Sequence, residues 1–292
     1  MGNKVVILGS NGMAGSMISH YLKNQGYPVT NFSRKIVAGH TNRLFDAHSK
    51  KDLDALNLFI KSQQPDVIIN CIGCLVNESN SNAAEAMYLN AYLPHLLENM
   101  TKCTYTKVIH LSTDCIFDGK DICGYDEFST PTETNWYGRS KAIGELNNEK
   151  DLTLRQSIMG PAPQASNTGF FNWILTELSP EVSGWNTAMW NGLTTLELAK
   201  QIDKILTLTP KLSGIVNLVP RDMASKWALI KFIVEEWNLP LKVKEVRDKP
   251  YSYKLLRTAR ADSPVITTNY YYQFKELHEY MDKHNIKVGD VK

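Results

Sequence analysis

The chain has 292 residues, 43% of them apolar and 21% charged, with a formal net charge of +2. That length accommodates one large domain, or a domain plus a smaller lobe. So small a charge leaves no electrostatic footprint for nucleic acid or a membrane surface.

Five cysteines (Cys71, Cys74, Cys103, Cys115 and Cys123) make an odd count with one CxxC pair. No second pair or nearby histidine completes a zinc site, so no metal ligand set is read and the thiols are expected to stay reduced. The opening MGNKVVILGS holds too short an apolar run for a signal peptide, and no run reaches membrane-spanning length. Met-Gly at the start resembles a myristoylation signal, but Val6 stands where that signal needs Ser or Thr. The expectation is a soluble, cytoplasmic protein.

In chain order, Val5 to Leu8 reads as a strand and Gly12 to Asn24 as a helix. Val29 to Phe32 is the next strand, Lys50 to Gln64 the next helix, and Val67 to Asn70 a third strand. A helix from about Asn82 to Thr101 follows, then a strand from Lys107 to Leu111, a helix from Trp136 to Asn148 and a strand from Leu152 to Arg155. These strands are apolar throughout rather than alternating, as strands covered on both faces are. The pattern is that of an α/β protein: a Rossmann-like, doubly wound, mostly parallel sheet. After residue 160 a Gly-Pro-Ala-Pro turn and a polar stretch, QASNTG, change the pattern. Helices are expected over Phe170 to Leu178, Thr195 to Leu206, Ser225 to Trp237 and Tyr270 to His284, with strands near Ile215 to Leu218 and Lys242 to Val246. Residues 1–160 are therefore read as the Rossmann domain. Residues 161–292 are read mainly as a small substrate-binding lobe, some of whose elements return to the main sheet.

Directly after the first strand comes GSNGMAG, with Gly9, Gly12 and Gly15 at G-x-x-G-x-x-G spacing. Glycines between a strand and a helix let a pyrophosphate approach the backbone and sit on the helix N-terminus. The second strand leads into Ser33, Arg34 and Lys35. A carboxylate there would suit the free ribose hydroxyl of NAD, whereas hydroxyl and cationic groups suit the extra phosphate of NADP, so NADPH is expected and NADH remains open.

Further on, WYGRSK sets Tyr137 and Lys141 four residues apart at the start of a helix, on one face. An ammonium beside a phenol favours the phenolate, and such a tyrosine can protonate a carbonyl oxygen as hydride arrives at its carbon. YxxxK is common on surface helices; a preceding glycine loop and a strand ending in Ser112-Thr113 give this one its meaning.

Taken together, GSNGMAG, STDCIFDG, YGRSK and Gly144-Glu145 resemble the extended short-chain dehydrogenase/reductase superfamily. Within it the chain is most similar to the dTDP-4-dehydrorhamnose reductase family of nucleotide-sugar reductases. The resemblance is strong over the first 160 residues and looser beyond, where FFNWIL and WNGLTTLELA look like that family's substrate-side segments. It implies NADPH-dependent reduction of the C4 ketone of a nucleotide-activated 4-keto-6-deoxy sugar. Thr113 would bond the carbonyl, Tyr137 would donate the proton, and Lys141 would bind the nicotinamide ribose and tune Tyr137. Gly9, Asn11, Gly12, Met13 and Ala14 would line the pyrophosphate, and Ser33, Arg34 and Lys35 the adenosine phosphate. Asp46 resembles an adenine-contacting carboxylate. Cys71, Ile72 and Gly73 would run under the cofactor, with Asn90, Ser112 and Met159 near it. Asp114, Cys115, Ile158, Phe171 and Trp190 would face the sugar. A homodimer is one assembly the family allows, but the magnesium-bridging acidic site of some members is not found here.

The chain also departs from the family. These reductases commonly carry STDYVFDG where Cys115 stands here, and a tryptophan within the segment Arg155 to Met159. Cys115 could fill space, contact the sugar, or serve as an epimerising base like the cysteine of GDP-fucose synthase, whose partner histidine has no counterpart between Gln164 and Phe171. A nucleotide-sugar epimerase or epimerase-reductase is thus the first alternative. A non-catalytic cofactor-binding subunit, like the methionine adenosyltransferase β subunit, is the second. His110 reads as a core histidine, whereas Trp185 and Trp190 could be core or pocket wall.

Overall fold

The computed structural model describes residues 3–36, 42–162, 169–248 and 251–288; the polar segment 164–168 lies outside them. Six strands, β1 (Val5–Leu8), β2 (Val29–Ser33), β3 (Asn42–Leu44), β4 (Val67–Asn70), β5 (Lys107–Leu111) and β6 (Leu152–Arg155), join a seventh, Gly214–Asn217, in one sheet. Its order is Gly214–Asn217, β6, β5, β4, β1, β2, β3, and every pairing is parallel. This is the Rossmann-like order, in which the chain reverses direction across the sheet between β1 and β4. Leu8 pairs with Asn70 there, so the loops beginning at Gly9 and Cys71 leave the sheet side by side.

Alternation along the strands divides the core. Val5 and Ile7 enter one hydrophobic cluster, and Val6 and Leu8 the other. The first face is covered by helices Met13–Asn24, Thr195–Leu208, Lys226–Glu236 and Tyr270–His284, through residues such as Ile18, Ile202, Ile233 and Leu277. The second is covered by Lys50–Gln63 and Leu93–Thr101, through Leu56, Ile60 and Leu97. The first cluster runs continuously from Val5 to Met281, so much of the second half shares the core of the Rossmann half. Short strands in the second half form further small sheets, including Lys242–Val246 against Glu181–Trp185.

The expected helix from Asn82 to Thr101 is divided in three: Ala83–Ala86, a π-helical stretch Met87–Tyr92, and Leu93–Thr101. Pro94 gives the physical reason. It has no N–H to donate to the Asn90 carbonyl four residues back, and Leu93 N–H reaches instead to Tyr88 O. Gly144 packs against that Asn90 carbonyl, where any side chain would collide. The Tyr137 helix stops at Ile143, with Gly144 as its C-cap, rather than continuing to Asn148.

Candidate functional site

The first component is the glycine loop. Gly9 adopts φ +79°, and a Cβ on it would lie 3.1 Å from the Cys71 backbone. At Gly15 a Cβ would run into the Gly9 carbonyl, so the helix Met13–Asn24 starts directly against the loop. Gly12 is its N-cap and supplies no side-chain cap, leaving the first amides, including Met13 and Ala14, without a capping side chain. This bare helix start in a glycine cradle fits a dinucleotide diphosphate. Around it, Asn11 donates to Lys35 O at 2.7 Å and accepts from Asn42 at 2.7 Å, while the Ser33 hydroxyl donates to Lys35 O at 2.7 Å. Asn11 and Ser33 therefore shape the end of β2. Arg34 and Lys35 stand exposed beyond it. Asp46 is exposed and accepts the His48 amide at 3.0 Å.

The second component lies beyond β5. Thr113 is the N-cap of a short 3-10 turn, Asp114–Ile116. Its Oγ1 donates to Asp114 Oδ1 at 3.1 Å and accepts the Cys115 amide at 3.1 Å. Tyr137 sits in the first turn of the helix Trp136–Ile143, which Asn135 caps through the Gly138 amide at 2.9 Å. Gly138 presses on the Cys115 carbonyl, so the helix meets the turn at backbone distance. Lys141, one turn on, is buried and donates to Leu111 O at 2.8 Å. A Cβ on Gly73 would lie 3.2 Å from Lys141 Nζ, which puts the loop after β4 directly over the ammonium. Thr113, Tyr137, Lys141 and the 71–73 loop are thus brought together at the switch point of the sheet.

Burial dominates the electrostatics. It pushes the Tyr137 phenol up, with Cys115 and Asp114 adding and the Thr113 hydroxyl opposing, so the phenol is neutral and holds its proton. The Lys141 ammonium donates to the Leu111 carbonyl. Burial lowers Lys141 itself to about 8. Cys115 is pushed up to about 12 by burial and by Asp114, and Cys71 to about 12 by burial. Asp114 is raised by burial against the hydrogen bonds of Cys115, Thr113 and Ser157 and the charge of Lys254.

Several expected contacts take supporting places instead. Asn90 is fully buried: Oδ1 accepts the Cys74 amide at 2.8 Å, while Nδ2 donates to Cys74 O at 3.1 Å and Ser140 Oγ at 3.1 Å. It ties the loop after β4 to the Tyr137 helix rather than reaching outward. Ser112 donates to Glu145 Oε1 at 2.7 Å, and Ile72 receives support from Asn70 Oδ1 through its amide at 3.1 Å. Phe171 is corrected outright: it is 1% exposed and packs edge-on against Trp237 in the core, so it does not face a sugar. Trp190 is also mostly buried, with its indole N–H on Ser157 Oγ at 2.8 Å. Ile158 and Met159 form a short strand pairing with Leu193–Thr194, Met159 within the core. His110 is the core histidine expected, fully buried beside Asn70 and held well below its usual value.

The sequence reading missed Ser157 and Lys254. Lys254 arrives from the second half, bonds Glu133 at 2.9 Å, and acts on both Asp114 and Cys115. No local pattern announces it. Among the described residues, no cluster of His, Cys, Asp or Glu is arranged to hold a metal, and all five cysteines are free. Nor is any described helix long and apolar enough to cross a membrane.

A Rossmann-like sheet carrying a glycine loop with a Thr-Tyr-Lys set at its switch point defines an extended short-chain dehydrogenase/reductase. More narrowly, the chain belongs to the RmlD substrate binding domain family, whose model matches residues 3–159. It is 29% identical over 185 residues to a probable low-salt glycan biosynthesis reductase of Haloferax volcanii, covering 59% of this chain and 60% of that one. It is 28% identical over 147 residues to a dTDP-4-dehydrorhamnose reductase of Burkholderia thailandensis, covering 49% and 44%. These matches therefore span less than two thirds of either relative. A crystal structure of the dTDP-4-dehydrorhamnose reductase from Bacillus anthracis in complex with NADP superposes with a TM-score of 0.75 at 21% identity, covering 98% of this chain and 100% of that one. At that identity it shows the shared fold.

Proposed function

We propose that this protein is an NADPH-dependent reductase acting on the C4 ketone of a nucleotide-activated 4-keto-6-deoxy sugar. The observation that carries this is the placement of the Thr113 and Tyr137 hydroxyls together at the end of β5, one helical turn from Lys141. The relatives named as a glycan biosynthesis reductase and a dTDP-4-dehydrorhamnose reductase support the substrate class. The bound nicotinamide would supply the hydride, with NADH the other candidate donor. Gly9, Gly12, Met13 and Ala14 would hold the diphosphate, and Arg34 and Lys35 the additional phosphate. Gly73 would let the cofactor lie close to Lys141. Tyr137, neutral at working pH, delivers its proton to the sugar oxygen as that oxygen gains charge. The protonated thiol of Cys115 is a poor base for removing a proton beside the ketone, which weighs against epimerisation.

The test is purified protein with NADPH and a panel of 4-keto-6-deoxy nucleotide sugars, followed by loss of NADPH absorbance. Turnover with at least one sugar, abolished in Tyr137→Phe while NADPH still binds, is the expected result. NADPH binding without turnover of any sugar would favour a cofactor-binding subunit instead.

A further inference from the structure

Thr113 has one hydroxyl proton and two lone pairs, and its neighbours use the proton and one of the lone pairs. An ionised carboxylate can only accept, so with Asp114 charged the Thr113 proton lies on Asp114 Oδ1, 3.1 Å away. One lone pair accepts the Cys115 amide at 3.1 Å. In that state Thr113 has no proton left for a ketone oxygen. Put a proton on Asp114 and the direction reverses. The carboxyl O–H donates to Thr113 Oγ1, which releases the Thr113 proton to point at substrate.

We infer that Asp114 is a positioning residue whose protonation decides whether Thr113 presents its hydroxyl to a ketone oxygen. The inference rests on the reductase reading for its substrate, but the proton arrangement belongs to the protein alone. No covalent bond to substrate is made or broken in this step; Asp114 exchanges one proton with solvent. Its surroundings fit a shared proton. Asp114 is 7% exposed, and Trp190 donates to Ser157 Oγ at 2.8 Å, which turns the Ser157 hydroxyl proton toward the carboxyl. The titratable and charged groups acting on it are Cys115 on its own turn, Tyr137 on the Trp136–Ile143 helix, and Lys254 from the second half. Glu133 holds Lys254 at 2.9 Å and offsets its charge. Burial moves Asp114 upward from the ordinary carboxylate range, toward working pH.

Two measurements test this. In protein labelled with 13C-aspartate and free of substrate, the Asp114 carboxyl resonance, assigned by its loss in Asp114→Asn, gives the titration midpoint. Thr113→Val removes a donor to the ionised form, so the midpoint should rise by about one pH unit, while Thr113→Ser leaves it in place. A midpoint that Thr113→Val does not move overturns the arrangement. With the ketosugar that turns over best, wild-type kcat/KM should fall by about tenfold per pH unit above the midpoint. Asp114→Asn, whose amide donates to Thr113 at every pH, should lack that limb. Superimposable pH profiles for the two proteins also overturn it. If the wild type turns over no sugar, the reductase reading fails and the resonance titration alone decides the arrangement.

Discussion

Arg155 and Glu145 form a bidentate pair at 2.8 and 2.7 Å, with side chains only 3% and 4% exposed. Glu145 also accepts from Ser112 at 2.7 Å, and Arg155 lies over the Phe117 ring at 5.4 Å. The pair therefore fixes both ends of the turn that carries Thr113. Removing one partner leaves the other charge buried and uncompensated, which costs about 3–5 kcal/mol. Arg155→Met should lower stability by about that amount in urea titrations. A loss within about 0.5 kcal/mol, the range of ordinary surface changes, would mean that water reaches this pair.

Gly15 faces the Gly9 carbonyl with no room for a Cβ, and the nearest atom that must also move is the Gly9 carbonyl carbon at 2.9 Å. Both are rigid backbone, so Gly15→Ala forces the helix Met13–Asn24 away from the loop. The expected outcomes are a stability loss of about 1–3 kcal/mol and at least roughly tenfold weaker NADPH binding by fluorescence titration. NADPH binding as tight as wild type would place the cofactor elsewhere.

The glycine loop and the YxxxK helix were legible because each is a local pattern with a local cause. Apolar strands such as Val67–Asn70 and Lys107–Leu111 were equally legible, since burial on both faces leaves a continuous run. Asn42–Leu44 was not: it is a short polar strand that pairs only at the sheet edge. The π-helical stretch around Asn90 depends on Pro94 and on Gly144 fifty residues later, a contact no window of sequence contains. Phe171 was assigned to the sugar by resemblance, although an aromatic on a short helix is equally a core residue; only packing against Trp237 distinguishes the two. Lys254 was invisible for a like reason, since its partners Asp114, Cys115 and Glu133 lie in the other half of the chain.

Lys141 gives the fold a pH signature. Its value in the folded protein is lowered from 10.5 to about 8 by burial, so between these limits the unfolded chain holds more protons than the folded one. Stability therefore rises with pH from about 8 to 10.5 on account of this residue, by about 3 kcal/mol in total. Below pH 8 the full cost of the buried ammonium is present. Lys141→Met removes the titration but also leaves the Leu111 carbonyl without its 2.8 Å donor, a cost that does not vary with pH. The readout is thus the slope: the stability difference between wild type and variant should shift in favour of wild type as pH climbs from 8 to 10.5. Parallel curves across that window would mean that Lys141 keeps an ordinary ammonium.

The thiols should react in an order set by exposure and charge. Cys103 and Cys123 are exposed, whereas Cys71 and Cys115 are half-buried and pushed up to about 12. Only the thiolate alkylates, and four to five pH units below such a value its population is on the order of 10⁻⁵ to 10⁻⁴. With iodoacetamide at neutral pH, peptide mass spectrometry should find Cys103 and Cys123 labelled first and Cys71, Cys74 and Cys115 last. An epimerising base would need a reactive thiolate beside the sugar, so the same experiment bears on the chemistry. Labelling of Cys115 as fast as Cys103 would restore the base reading, and solvent deuterium appearing at carbon next to the sugar ketone would then be expected. Slow labelling leaves Cys115 as part of the wall that the Thr113 turn presents to substrate, where the size of its side chain selects among sugars. Cys115→Tyr, which restores the aromatic common at this position in the similar reductases, should then change the order of preference among ketosugars by about tenfold, the discrimination that reshaping one wall of a binding pocket commonly supplies. An unchanged order of preference would remove Cys115 from the sugar pocket.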